Sequence, residues 1–331
     1  MPLRTHLALL TAGLAAATCL TAAGPAQART SHACSPSVSL DRFSDALDKT
    51  TYEDTFVGNL SALAVDRDGS LAALSDRSAL FRLDARTLTP RSVLPLAEET
   101  GAALDSEGLV VDRDGTYLVT SETEPSIRRY SRDGRLLDRL PVPDDLRVSP
   151  AGRGRPNGTF EGLTLLPGGR TLVASMEYAL SGDPADTVRF QTWTRHGARF
   201  RLADRYTYRT DPGLGVPEIQ ATPDGRLLVL ERGFTAGVGN TVRLYLAEPR
   251  HAMRKTLLTD LVTCPPLGAT AEQPQPNPLL DNIEGMTITG RTRNTWKVLL
   301  VSDDNQNAAQ TTRFYFLRVR PGTASGPGAG R

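Results

Sequence analysis

Nine carboxylates stand at matching places in a recurring phrase. Glu107, Glu161, Glu218 and Glu284 each open a short apolar run, and Asp76, Glu122, Glu177, Glu231 and Asp303 each close a second one. Carboxylates gathered from separate repeats raise one another's pKa or require a cation between them. Together with Asn282, Asp304 and Asn305 they form an all-oxygen set suited to Ca2+, which takes roughly six to eight oxygen ligands in flexible geometry. The bland alternative for any one acid is a turn cap, or a partner for a nearby arginine such as Arg77 or Arg232. A compact Asp-x-Asp-x-Asp-Gly loop is absent, and the Asp66-Arg-Asp-Gly and Asp112-Arg-Asp-Gly stretches are too short to serve as one.

The element that must position these acids is a pair of strands. Each copy reads as an apolar run, a tight Asp-Gly or Gly-Gly turn and a second apolar run, as in Glu107-Gly-Leu-Val-Val-Asp-Arg-Asp-Gly-Thr-Tyr-Leu-Val-Thr-Ser-Glu122. Five copies lie 46 to about 66 residues apart, with room for two further strands after each. That spacing predicts four-stranded blades rather than helical repeats. The expected fold is an all-β propeller with five blades counted, a sixth being possible in Asp41 to Asn59 or in Pro265 to Asn282. The latter stretch is rich in Pro, Gln and Asn and reads better as a long loop. The fifth copy runs out of chain after Arg313 to Val319, so a segment such as Val38 to Phe43 is expected to supply its outer strand and close the ring. In such a blade the start of the first strand and the end of the second lie at the same face, which predicts that all nine acids meet at one mouth of the central channel.

A chain of 331 residues with 39% hydrophobic and 23% charged residues fits one soluble globular domain, and a net charge of +1 argues against bulk capture of nucleic acid or anionic lipid. Residues 1–28 read as a secretion signal: a short polar start, an uncharged apolar stretch from Leu7 to Ala23 and a small-x-small site at Ala26 to Ala28. The mature domain is expected over 29–320, and the Gly/Pro/Ser/Ala-rich tail of 321–331 is expected to be disordered. Outside the signal no stretch is long and apolar enough to span a membrane, and the secreted protein is expected to be a monomer. The two cysteines beyond the signal, Cys34 and Cys264, are expected to pair in an oxidising compartment, stabilising by at most about 5 kcal/mol in the chain-entropy account.

Arg195-His196-Gly197-Ala198-Arg199 has the look of a phosphatase nucleophile motif. Its place in the repeat is a turn on the outer rim of a blade, and no His-Asp pair follows, so it is read as structural. The histidines outside the signal, His32, His196 and His251, lie off the inner strands, which argues against a Ser-His-Asp hydrolase.

Asn59-Leu-Ser-Ala-Leu, Ser106-Glu-Gly-Leu, Glu122 followed by Pro125-Ser-Ile-Arg, Thr159-Phe-Glu-Gly-Leu, Leu230-Glu-Arg-Gly and Asn282-Ile-Glu-Gly-Met with Val301-Ser-Asp-Asp-Asn resemble, in order, the motifs of the phytase-like family, often described as "esterase-like activity of phytase". The resemblance covers about residues 38 to 319 and implies a secreted propeller, with calcium and phosphate-ester chemistry by analogy with β-propeller phytases. Two departures stand out. Beyond the signal, lysine occurs only at Lys49, Lys255 and Lys297, fewer cations than such phosphate sites use, and the fourth copy has Pro217-Glu218-Ile219 where others have Glu-Gly.

The expected activity is Ca2+-assisted hydrolysis of a small phosphate ester at the mouth, with Glu107, Glu161 and Glu284 catalytic. Glu122, Glu177, Asp303, Asp304 and Asn305 are the expected metal ligands, and Arg77, Arg128 and Arg232 would grip the anionic ester. The alternatives are a non-enzymatic extracellular binding module using the same mouth, and a carboxylesterase.

Overall fold

The structure, a computed structural model, describes residues 32–322. The expected signal and most of the expected tail lie outside the described residues. The described chain opens with β1 (Val38–Ser44) and a small hairpin of β2 (Thr50–Tyr52) and β3 (Thr55–Val57), then builds five antiparallel sheets of four strands. Blade 1 holds β4 (Leu60–Val65), β5 (Leu71–Ser75), β6 (Ala79–Leu83) and β7 (Pro90–Pro95). Blade 2 holds β8 (Ser106–Val111), β9 (Tyr117–Ser121), β10 (Ser126–Tyr130) and β11 (Leu136–Arg139). Blade 3 follows with β12 (Phe160–Leu165), β13 (Thr171–Met176), β14 (Thr187–His196) and β15 (Arg199–Arg209). Blade 4 has β16 (Gly215–Ala221), β17 (Leu227–Thr235), β18 (Gly239–Glu248) and β19 (Arg254–Asp260). Blade 5 combines β20 (Ile283–Arg291), β21 (Trp296–Ser302) and β22 (Phe314–Val319) with β1 as its outer strand.

Five blades therefore exist, and the two stretches that could have hidden a sixth do not. Asp41 to Asn59 contributes only the end of β1 and the small hairpin, and Pro265 to Asn282 contains no strand. The innermost strands β4, β8, β12, β16 and β20 neighbour one another in turn, and β20 returns against β4. Inner strands face protein on both sides, which explains their continuous apolar runs: β5 and β9 are buried throughout, whereas three of the four residues of outer β11 are exposed. Ring closure takes the expected form, with β1 antiparallel to β22 from Val38 opposite Val319 to Ser44 opposite Phe314. Cys34 is bonded to Cys264, tying that closing segment to blade 4.

The turns joining each inner strand to the next lie on one face of the ring. Gly69, Gly115 and Gly225 adopt φ values of 82°, 87° and 87°, a region where a side chain would be strained, which accounts for the Asp-Gly turns. Two aspartates that open these turns are buried and neutralised by the neighbouring blade. Asp66 of blade 1 meets Arg132 of blade 2 at 2.7 Å and accepts the Tyr117 hydroxyl at 2.9 Å. Asp112 of blade 2 meets Arg195 of blade 3 at 2.6 Å and Arg129 of its own blade at 3.0 Å. Arg195 also lies 4.2 Å from the Phe200 ring, so the arginine of the phosphatase look-alike motif is a clasp between blades.

Candidate active site at the acidic mouth

At the opposite face every innermost strand begins with the same irregularity. The register slips once between Leu60 and Ala62, between Ser106 and Leu109, between Phe160 and Leu163, between Gly215 and Glu218, and between Ile283 and Gly285. Counting back from the regular part of each ladder places Ser61, Glu107, Glu161, Pro217 and Glu284 at equivalent positions within these bulges, which re-aim a side chain. The next residue is glycine in blades 2, 3 and 5 because an adjacent strand passes there. A Cβ on Gly108 would lie 2.3 Å from the Glu161 carbonyl oxygen, and one on Gly162 would lie 2.6 Å from the Ile219 nitrogen. The Glu-Gly pair thus has two physical parts, an acid turned into the channel and a gap that admits the neighbouring blade.

The acids that follow the second strand form a matching column of Asp76, Glu122, Glu177 and Asp303, and the same register places Arg232 in that column in blade 4. The two columns converge on a cavity of about 440 Å³. Asp76, Glu107, Glu122, Glu161, Glu177, Glu284 and Asp303 line it, joined by Asp105, which precedes β8. Arg232 and Arg155 are the cations in its wall.

The expectation that all nine acids meet is corrected at two places, both in blade 4. Glu218 sits one residue late, in the column that holds glycine elsewhere, and its Oε1 accepts the Ile219 and Leu163 backbone N–H groups at 2.8 and 3.3 Å. Glu231 sits one residue early, where it accepts the Tyr208 hydroxyl and Lys255 Nζ, each at 2.6 Å. The cause is local. Pro217 occupies the bulge, where a missing N–H is tolerated, and β17 continues past the point at which the other second strands stop.

Among the expected metal ligands, Glu122, Glu177, Asp303 and Asn305 line the cavity. Asp304 does not: its Oδ2 takes Lys49 Nζ at 2.8 Å and its Oδ1 accepts Asn59 N at 3.0 Å, so it anchors a loop instead. Of the expected ester grips, only Arg232 is brought to the cavity, 3.2 Å from both Glu177 and Glu284. Arg77 is exposed and stands 3.5 Å from Asp76, while Arg128 is buried in blade 2 and engaged with Glu99 at 2.9 Å. Asp105, Arg155, Tyr178, Phe234, Asn240 and Gln273 are wall residues outside the repeat phrase, and the repeat offers no signal for them.

Burial and like charge act together on these carboxyls. Burial, then the neighbouring charges of Glu284 and Glu122, pushes Glu107 well above the usual carboxylate range. Glu161 is raised likewise by burial, then by Glu107 and Glu177, and Asp303 by burial, then by Glu284. Glu177 and Glu284 are raised by burial to about 7 even though Arg232 opposes the shift in each. Asp76 also reaches about 7, through burial and the charge of Asp303.

An oxygen-only donor set with too few cations fits a hard divalent ion. Asp105, Glu107 and Glu122 bring one oxygen each within 4.8 Å of one another, and so do Glu122, Glu161 and Glu177. Asp76 Oδ1 is buried with no hydrogen-bond partner among the described residues.

Fold and site together define a five-bladed β-propeller whose channel opens at one end into a carboxylate-lined cavity. Residues 55–306 match the family described as "Phytase-like: Esterase-like activity of phytase", and the chain belongs to that family. An "Uncharacterized secreted protein" of Arthroderma benhamiae is 27% identical, over 41% of this chain and 35% of the relative, so the chain spans about a third of that relative's length. Among solved structures, a gluconolactonase from Xanthomonas campestris is 16% identical over 78% of this chain and 71% of its own, with a TM-score of 0.45. Virginiamycin B lyase from Staphylococcus aureus is 10% identical over 80% of this chain and 82% of its own, with a TM-score of 0.40.

Proposed function

We propose that the protein is a secreted, monomeric, Ca2+-assisted hydrolase of phosphate esters that acts at the acidic mouth. The observation that carries this reading is the convergence of eight carboxylates on one cavity whose wall, among the described residues, holds only Arg155 and Arg232 as cations. Such a concentration of buried like charge is costly unless a cation or protons compensate it. Family membership and the relative described as secreted support the class and the compartment, and no helix among the described residues is long and apolar enough to cross a membrane.

Asp105, Glu107, Glu122, Glu161 and Glu177 would hold the ion or ions. Bound Ca2+ would supply positive charge to offset the phosphate and to acidify a water. Arg232 has no hydrogen-bond partner for its Nε among the described residues and would orient the ester oxygens, with Arg155 at the entrance.

Metal analysis of the purified mature protein, with phytate and nitrophenyl phosphate assayed before and after chelation, tests this reading. Stoichiometric calcium is expected, with activity lost in chelator and regained on adding calcium. Turnover that survives both chelation and Glu161→Gln overturns the reading.

A further inference from the structure

Blade 4 differs from the others in its second hairpin as well as in its missing acids. β17 runs on to Thr235 and β18 starts at Gly239, so their connection extends beyond the level at which β5 and β9 end. Phe234 and Asn240 are direct cross-strand partners and therefore share a face of this hairpin, and both line the mouth. The loop over 265–282 packs against the hairpin's end. Gly239 has φ 110°, and a Cβ there would lie 2.4 Å from Gln275 Oε1 and 2.5 Å from the Pro274 carbonyl oxygen. Asn240 N donates to Gln275 Oε1 at 2.8 Å, and Gln273 of the same loop reaches the cavity.

Asn240 is only 1% exposed, yet neither its amide oxygen nor its amide nitrogen has a hydrogen-bond partner among the described residues. Gln273 Nε2 is in the same condition. A buried amide left unpaired is destabilising, and native proteins keep few of them. Here three such atoms belong to two uncharged residues of the cavity wall.

We propose that Phe234, Asn240 and Gln273 form a neutral subsite for a hydroxylated ring, a sugar or cyclic polyol joined to the ester on which the mouth acts. The inference rests on the mouth being the ligand site, as in the reading above, but not on turnover. A hydroxyl is both donor and acceptor, so two adjacent hydroxyls satisfy an amide oxygen and an amide nitrogen together. Phe234 is 57% exposed and offers an apolar face against which a ring can lie. The carboxylates and arginines of the same cavity deal with the charged end of the ligand.

The test is calorimetric titration of the mature protein, in calcium and in chelator, with methyl glucoside, methyl galactoside, methyl mannoside and cyclohexanol. At least one glycoside is expected to bind and cyclohexanol is not, because it lacks the second hydroxyl. Asn240→Leu is expected to weaken that binding by about tenfold or more. Phe234→Ala, a change at an exposed position, is expected to weaken it several-fold and gives a second reading should the first variant not fold. Binding by neither protein form, cyclohexanol binding as tightly as the glycosides, or unchanged affinity in folded Asn240→Leu or in Phe234→Ala overturns the proposal. Loss of the hydrolase reading through chelation-resistant turnover would leave these titrations unaffected, so the two failures are distinguishable.

Discussion

The two faces of the ring bury the same kind of side chain and treat it in opposite ways. On the turn face, Asp66 and Asp112 are each met by an arginine from the next blade, and the charge is cancelled within the protein. Burial pushes the Asp66 carboxyl up, but Arg132, the Arg67 amide and Tyr117 outweigh it and hold it below the usual value. At the mouth, eight carboxylates share Arg232 and Arg155, and the seven that come from the repeat are all pushed upward. A buried acid with a partner of its own holds blades together, whereas a group of acids without enough partners keeps a place for something that arrives from outside.

The widest separation between the faces should come from removing one partner on the turn face. Arg195→Leu leaves buried Asp112 with Arg129 as its remaining cation, and a loss of about 3 kcal/mol in unfolding free energy is expected from denaturant titration. A mouth acid should respond in the other direction. Glu161→Gln replaces an acid whose burial beside Glu107 and Glu177 is costly with a neutral amide, so in chelator the variant should be more stable than the parent by on the order of 1 kcal/mol, while calcium raises its melting temperature less than the parent's.

The pH dependence sharpens the same contrast. Asp76, Glu177 and Glu284 keep their protons to about pH 7 in the folded protein, against ordinary values of 3.8 and 4.5. Between those values the unfolded chain has released protons that the folded one retains, so stability is fully present below about pH 4 and is lost as the pH rises through about 7. Melting in chelator should therefore worsen from pH 5 to pH 8, and calcium should restore most at the alkaline end. Asp66, held low, works the other way, contributing stability above its ordinary value that is lost as the pH falls below it. The smallest effect is expected from Arg77→Gln: its exposed contact with Asp76 is long, and a change of no more than about 0.5 kcal/mol should appear in the same titration.

Much of this contrast could be read from the residues. The Asp-Gly turns and paired apolar runs specify the blades, and Val38 to Phe43 does supply the outer strand of the last one. The Glu-Gly pairs mark the bulges because an acid followed by a gap is a physical requirement there. Blade 4 misleads, since Glu218 and Glu231 look like members of the series and each lies one residue out of column. A one-residue slip sends a strand side chain to the opposite face, and nothing in the local composition reports it except Pro217, which a strand tolerates at a bulge. Phe234, Asn240 and Gln273 are invisible to the repeat because they belong to a hairpin extension and a loop that do not repeat.

The pairing of β1 with β22 sets an order on biogenesis. β1 is made long before its partner β22, so blade 5 stays incomplete until residues 314–319 have been added. Until then β1 is available to strangers, including another nascent copy. Joining Cys34 to Cys264 ties the segment that carries β1 to the end of blade 4 as a covalent latch beside that closure, so removing β1 or β22 should open the whole circle rather than shorten it.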